Sequence, residues 1–328
     1  MLLRNYFSHR TQSVRIGKAY SSFKSITKGV PQGSIIGPLA FLYFINDLSN
    51  ISEIFTSILF ADDTTLSFKC NSTDQFNSVS NAEMHKFFQW ASANKLSINV
   101  SKTFYMIHSF RNFNDDLSLE INNHKINKLN QGLFLGLNID SKLNFKSHID
   151  YISNKISKSI GILFKLSQFK ASKSILRQTY FSLVHSYLNY NITCYAGTYD
   201  SHINRLLLLQ KRAIRIINKS TFLAHTDPLF HSNKILKVQD LYKLNVGLYM
   251  YDNLEPGRYS VTHDYDTRNR NSLVPSRARI TASDSSLSVA GPIIWNSVPL
   301  SIQQSPTKNI FKNSFKAHLL SNYDNYNR

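Results

Sequence analysis

Apolar and polar positions alternate with a short period in the first part of the chain and with a helical period after about residue 144. Ile58, Leu59 and Phe60 form one apolar run and Leu66 to Phe68 another, with Asp62-Asp63 between them. This pattern predicts two strands joined by a turn at the acidic pair. Ahead of it lie possible edge strands at 13–16, with no clear partner, and at 25–28. A helix opens after Ser34, a candidate cap, and runs to about Leu48. A second helix is predicted over 73–94, burying Phe76, Val79, Phe87, Trp90 and Ala91. A strand over 104–108, a hairpin turning at Asn122-Asn123 and a strand over 134–140 complete an α+β arrangement. Ile149, Ile152, Ile156, Ile160 and Leu163 then mark one face of a helix, and further helices fit 172–188 and 200–218, which predicts a three-helix bundle. Beyond residue 221 the pattern weakens. It allows a helix near 238–254, a break at Glu255-Pro256-Gly257, a turn-rich basic stretch over 267–280, an apolar patch at 291–299 anchored by Trp295, and an amphipathic segment over 309–320.

Charge adds what periodicity cannot. Thirty-eight Lys and Arg stand against 20 Asp and Glu, a net charge of +18, so the expected partner is a polyanion, either nucleic acid or an anionic surface. No acidic residue precedes Asp47, whereas Arg4, Arg10, Arg15, Lys18, Lys24 and Lys28 do. At 328 residues and 42% hydrophobic content the chain can hold two or three cores. Two cysteines exclude a disulfide framework or a cysteine-rich zinc site. The apolar run near 35–45 is broken by Gly37-Pro38 and is too short to span a bilayer. A soluble, intracellular protein of the nucleus or cytoplasm is expected, with no membrane partner; nothing in the pattern sets an oligomeric state.

Candidate chemistry centres on Asp62 and Asp63. Neighbours in a regular strand face opposite ways, so both carboxylates can serve one site only where the backbone bends, as a turn allows. Carboxylates this close repel, and a hard divalent ion is the usual remedy. An ordinary polar turn is the plainer alternative. In Gly29-Val30-Pro31-Gln32-Gly33-Ser34 the glycines allow close backbone approach, yet the Gly-Lys-Ser/Thr ending of a P-loop is missing. A turn and a core helix would explain all of this stretch except Gln32, whose amide could contact a base or nucleotide. Lys102, at a loop-to-strand junction, is either a solvated lysine or the proton donor to a leaving pyrophosphate.

Together these segments resemble the reverse transcriptases of non-LTR retrotransposons of the jockey-like or LINE type. The resemblance rests on Gly29 to Leu39 with Ile45-Asn46-Asp47-Leu48, on Phe60-Ala61-Asp62-Asp63-Thr64, on Trp90 and Asn94-Lys95-Leu96 with Asn99 and Lys102-Thr103, and on Phe134-Leu135-Gly136. Tyr265 to Asn269 and Gly291 to Pro299 resemble the terminal segments of such elements. The resemblance implies a partial palm, an antiparallel sheet with helices, over 1–140; a helical thumb-like bundle over 141–220; and a mixed C-terminal region of unassigned role over 221–328. It implies RNA-directed DNA synthesis with an RNA template, a DNA primer and deoxynucleoside triphosphates. Asp62 and Asp63 would carry Mg²⁺, for which Mn²⁺ can substitute, and Lys102 would assist. Gln32, Gly33, Phe60 and Ala61 would face template and nucleotide, and Phe134, Leu135 and Gly136 would support the primer end.

The family also uses a third carboxylate on an earlier palm strand, and no acidic residue before Asp47 can supply it. The chain is therefore expected to be truncated at its N-terminus, lacking that strand, the fingers and any endonuclease. Three readings remain: a polymerase portion, an inactive remnant that only binds nucleic acid, and a protein-interaction role for the C-terminal half.

Overall fold

The computed structural model describes residues 2–27, 29–31, 33–109, 117–254, 272–276 and 286–323. They form a mixed α and β architecture in which strands pair two by two, five pairs antiparallel and one parallel among the described residues. The chain divides into two units, residues 1–105 with 111–128, and residues 106–110 with 129–328.

In the first unit, Thr56–Phe60 pairs antiparallel with Asp63–Ser67, and Phe60 lies opposite Asp63. Phe55, at the base of this hairpin, joins Met84, Leu119, Ile121 and Ile126 in a small core. Rings continue that core in a row, Phe55 to Phe68 at 5.2 Å, Phe68 to Phe76 at 6.0 Å and Phe76 to Tyr105 at 5.4 Å between centroids. Thr73–Ala93 is one helix, started by the Ser72 hydroxyl accepting from the Gln75 N–H at 3.1 Å. Asn77 and Asn81, one turn apart on it, do the work of a neighbouring strand. Asn77 Oδ1 accepts from the Ser118 N–H at 3.0 Å, Asn81 Oδ1 accepts from the Glu120 N–H at 2.9 Å, and Asn81 Nδ2 donates to the Ser118 carbonyl at 2.8 Å. The predicted turn at Asn122-Asn123 joins Glu120–Ile121 to His124–Lys125, both turn residues having positive φ (49° and 62°).

Two strand expectations need correction here. Only Phe104–Tyr105 of the 104–108 run is strand, held by parallel pairing with Asn127–Lys128. At the N-terminus Arg15–Ile16 does find a partner, Ala19–Tyr20, across a tight turn, while Thr11–Gln12 pairs with Lys24–Ser25.

The second unit is mainly helical. The expected strand over 134–140 is instead a hairpin, Gln131–Phe134 against Leu137–Asp140, because Leu135 and Gly136 both adopt positive φ and reverse the chain. Asp140 then starts the next helix, its carboxylate accepting from the N–H groups of Lys142 and Asn144 at 3.1 Å and of Phe145 at 2.7 Å. Lys146–Gln168 buries the predicted face from Ile149 to Leu163. The run expected as one helix over 172–188 is Lys173–Tyr180, a π-helical segment Phe181–His185, and Ser186–Asn189. Gln210, fully buried on Asp200–Asn218, ties three elements together. Its Nε2 donates to the Tyr180 hydroxyl at 2.9 Å and the Leu236 carbonyl at 2.8 Å, and its Oε1 accepts from the Val238 N–H at 2.9 Å.

Val238–Asn253, Leu287–Ser297 and Lys308–Ser321 close this core. Trp295 stacks on Phe311 at 5.6 Å, a packing anchor as predicted, although the apolar patch around it is helix up to Ser297. Pro292 lacks an N–H, so the Ser288 carbonyl one turn back accepts from the Ser276 N–H at 3.2 Å instead. The predicted break at 255–257, the Tyr265 to Asn269 motif and most of the 267–280 stretch lie outside the described residues. Among the described residues no helix is long and apolar enough to cross a membrane.

Two helical glycines give opposite expectations. A Cβ on Gly247 would sit 2.7 Å from the Phe315 ring, whereas one on Gly161 would meet nothing within 4 Å. Gly247→Ala should therefore lose stability, its overpacking cost of about 1–3 kcal/mol exceeding a helix-propensity gain of about 1 kcal/mol. Gly161→Ala should gain up to about 1 kcal/mol. Urea unfolding of both variants checks the contrast.

Candidate active site

The tip of the first hairpin is the two-residue loop Ala61-Asp62, with Ala61 at φ 51°. A non-glycine residue there carries about 1–2 kcal/mol of strain. Below the tip, Phe55, Leu59, Leu66 and Phe68 share one side of the ladder while Ile58, Phe60 and Asp63 share the other. Phe60 is 61% exposed, and both Asp62 and Asp63 are exposed. Among the described residues neither carboxylate accepts a hydrogen bond or forms an ion pair. The reversal thus falls at the first of the two carboxylates, with Asp63 opening the second strand.

No group of three or more His, Cys, Asp or Glu side chains converges among the described residues. Two other acids of this unit are already engaged. Asp47 Oδ2 accepts from the Trp90 indole N–H at 3.3 Å. Glu83 is buried against Lys86 at 2.7 Å, and the hydrogen bond from that ammonium, followed by one from the Ser52 hydroxyl, holds its carboxyl below the ordinary range. The donor set at the tip is therefore two free carboxylates. Oxygen donors of this kind fit a hard divalent ion that completes its shell with water and substrate phosphate.

Around the Gly29 to Ser34 segment, Gly29 and Gly33 have φ 73° and 82°, the left-handed backbone that glycine permits. Gln32 lies outside the described residues. The Ser34 hydroxyl accepts from the Gly37 N–H at 3.0 Å and bonds the Tyr6 hydroxyl, although the cap position of Ile36–Ile45 falls on Ile35, one residue later than expected. Lys102 ends the short 3-10 turn Val100–Lys102, with its side chain exposed. Asn99 shapes this turn, its Oδ1 accepting from the Ser101 hydroxyl at 2.7 Å and the Lys102 N–H at 3.3 Å. The contact of Trp90 with Asp47 had no local signal in the sequence.

In the second unit, Phe134 ends its strand, and Leu135 (φ 45°) with Gly136 (φ 79°) makes the turn. The Tyr190 hydroxyl donates to the Leu135 carbonyl, and a Cβ on Gly136 would come within 3.2 Å of the Tyr190 ring. Left-handed backbone at a leucine persists only where its surroundings over-determine it, and this contact does so. Beside the turn is a cavity of about 350 Å³ bordered by Gly136, His148, Tyr151, Tyr187 and Tyr190. His148, 1% exposed, accepts the Asn138 N–H on Nδ1 at 3.4 Å, and burial pulls its pKa down to about 4. Sequence reasoning missed both His148 and Tyr190, because a histidine on an apolar helical face gives no sign of its partner.

Residues 1–139 match the reverse transcriptase (RNA-dependent DNA polymerase) family. The chain is 25% identical over 263 residues to the probable RNA-directed DNA polymerase from transposon X-element of Drosophila melanogaster, covering 78% of this chain and 29% of that protein. It is 25% identical over 249 residues to the RNA-directed DNA polymerase from mobile element jockey of the same species, covering 73% and 27%. Similarity to the probable RNA-directed DNA polymerase from transposon BS, also of Drosophila melanogaster, is 24% over 226 residues, covering 66% and 25%. Residues 1–139 are thus similar to a reverse transcriptase domain, and most of the chain is similar to RNA-directed DNA polymerases of jockey-like mobile elements. It spans less than a third of the length of these relatives. No solved structure matches it significantly.

His148 makes stability depend on pH. Its ordinary pKa near 6.5 applies to the unfolded chain, so on acidification the unfolded state takes up a proton that the folded state refuses until about pH 4. Stability present above pH 6.5 should fall by on the order of 2–3 kcal/mol toward pH 4. Urea midpoints across that range should show the loss, and His148→Gln should flatten it.

Proposed function

We propose that this chain is a portion of a retroelement RNA-directed DNA polymerase, with nucleotidyl transfer centred on Asp62 and Asp63. The observation that carries the reading is the hairpin itself, in which two exposed, unpaired carboxylates follow one another at a two-residue turn rooted in an aromatic core. Asp62 and Asp63 would hold Mg²⁺ or Mn²⁺. When bound, a pair of such ions neutralises the attacking and leaving oxygens of a phosphoryl transfer. Phe60 and Ala61, beside the carboxylates, and Gln32-Gly33 would face template and incoming nucleotide. Lys102 would pass a proton to the departing pyrophosphate. The hairpin turn at Leu135-Gly136, fixed by Tyr190, would support the primer end.

In this reading residues 1–140 are a partial palm, 141–220 a thumb-like bundle and 221–328 a C-terminal region of unassigned role, the chain acting on RNA template, DNA primer and deoxynucleoside triphosphates in the nucleus or cytoplasm. Among the described residues no third carboxylate joins Asp62 and Asp63, and Asp47 is engaged by Trp90. That same shortage supports a second reading, in which the chain binds nucleic acid and catalyses nothing.

Primer extension on an RNA template with Mg²⁺ tests the first reading. The expected result for the chain by itself is salt-sensitive binding of the primer–template with feeble extension, abolished by Asp62→Ala or Asp63→Ala. Extension that survives both substitutions would remove the hairpin from the chemistry. Mn²⁺ titration followed by electron paramagnetic resonance gives an independent readout: binding by the unaltered chain should be lost in the double variant.

A further inference from the structure

Gly29 to Asn46 contains no charged side chain, and within it the helix Ile36–Ile45 is apolar at almost every position. A helix that is apolar all round belongs in a core. This one has two unlike sides. Ile36, Gly37, Ala40, Phe41 and Ile45 are buried or half-buried, whereas Ile35, Pro38, Leu39, Leu42 and Tyr43 are exposed. The exposed positions recur three and four residues apart, so they form one continuous stripe along the helix. Its large side chains are bare: Ile35 is 97%, Leu39 68%, Leu42 52% and Tyr43 85% exposed.

The shape, area and charge of the stripe together limit what can cover it. Side chains spaced three and four apart make a ridge that fits the groove of another helix. These four expose on the order of 600 Å², about the largest apolar patch that a monomer ordinarily leaves in water. Two such stripes face to face would bury about 1,200 Å², where stable interfaces begin. A membrane-surface helix would carry lysines or arginines beside its apolar face, and this helix carries none. The lack of charge also suits a like partner. Two copies at +18 each repel, and an uncharged stripe lets them meet without setting cation against cation.

We infer that the stripe from Ile35 to Tyr43 is a homodimer interface, across which a second copy of this chain lays the same helix antiparallel. The two-fold axis passes near Leu39, and Ile35 lies opposite the partner subunit's Tyr43. Such a pairing is self-complementary and closed, so it stops at two copies. It does not depend on the chemistry proposed for Asp62 and Asp63.

Sedimentation velocity of the nuclease-treated full chain, from about 1 to 50 μM, tests this. The expected result is a dimer that tightens between about 0.15 and 0.5 M NaCl, because salt screens the repulsion of two basic copies and leaves apolar contact intact. Leu39→Asp with Tyr43→Asp should weaken it by on the order of 100-fold, with helicity unchanged by circular dichroism. Phe169→Asp, at a side chain 83% exposed in the second unit, should leave the dimer intact. So should Asp62→Ala, which separates failure of the interface from failure of the hairpin chemistry. A second readout needs no charged variant. Leu39→Cys, with Cys70→Ser and Cys194→Ser, should give a disulfide-linked dimer on mild oxidation, since a residue beside a two-fold axis meets its own copy. A monomer at every concentration would overturn the proposal, and maleimide labelling of that cysteine would then show whether the chain itself covers the face or leaves it to a different protein. Polydisperse aggregates, or a dimer that survives the two aspartates, would overturn it as well.

Discussion

A two-residue turn leaves no slack between the strands it joins, and the candidate chemistry of the first unit depends on that constraint. With Phe60 opposite Asp63, the reversal falls on Ala61 and Asp62, and Ala61 must accept φ 51° to complete it. The strain is opposed from below, where Phe55 and Phe68 join a row of rings running to Phe76 and Tyr105. A rigid base and a strained tip keep two like charges adjacent and in solvent. In a longer loop the carboxylates could move apart to relieve their repulsion.

The same economy of backbone appears in the second unit, where Leu135 and Gly136 reverse the chain and Tyr190 pins the leucine carbonyl. The helices around it are joined by polar contacts as much as by apolar ones. Gln210 satisfies a hydroxyl on one other segment and a carbonyl and an N–H on a second. A buried amide with all these bonds made aligns its partners more narrowly than apolar contact does, and losing one would leave a desolvated group unpaired. The Ser276 N–H meeting the carbonyl that Pro292 frees is a smaller case of the same accounting.

Several acids of the described residues are consumed by ion pairs, as Glu83 with Lys86 and Asp227 with Lys237. Asp62 and Asp63 are not among them. Exposed carboxylates left without a cation are open to an external one, and a hard divalent metal is the chemically matched occupant.

Much of this was legible along the chain because its signals are local. The acidic pair between two apolar runs, the Asn122-Asn123 turn and the Ile149 to Leu163 face each depend on residues within a few positions of one another, where backbone geometry alone sets the outcome. The turn inside Phe134-Leu135-Gly136 was misread as strand, because a leucine at positive φ is disfavoured until Tyr190, distant in sequence, holds it. Asp47 with Trp90 and Gln210 with Tyr180 and Val238 were not readable at all. Hydrogen bonds and charges act through space, and no periodicity records which distant side chain will arrive. Sequence by itself determined the apolar face of the helix over 146–168 and where the acidic turn falls. Packing decided which polar groups are consumed inside the fold and which are left free to meet a ligand.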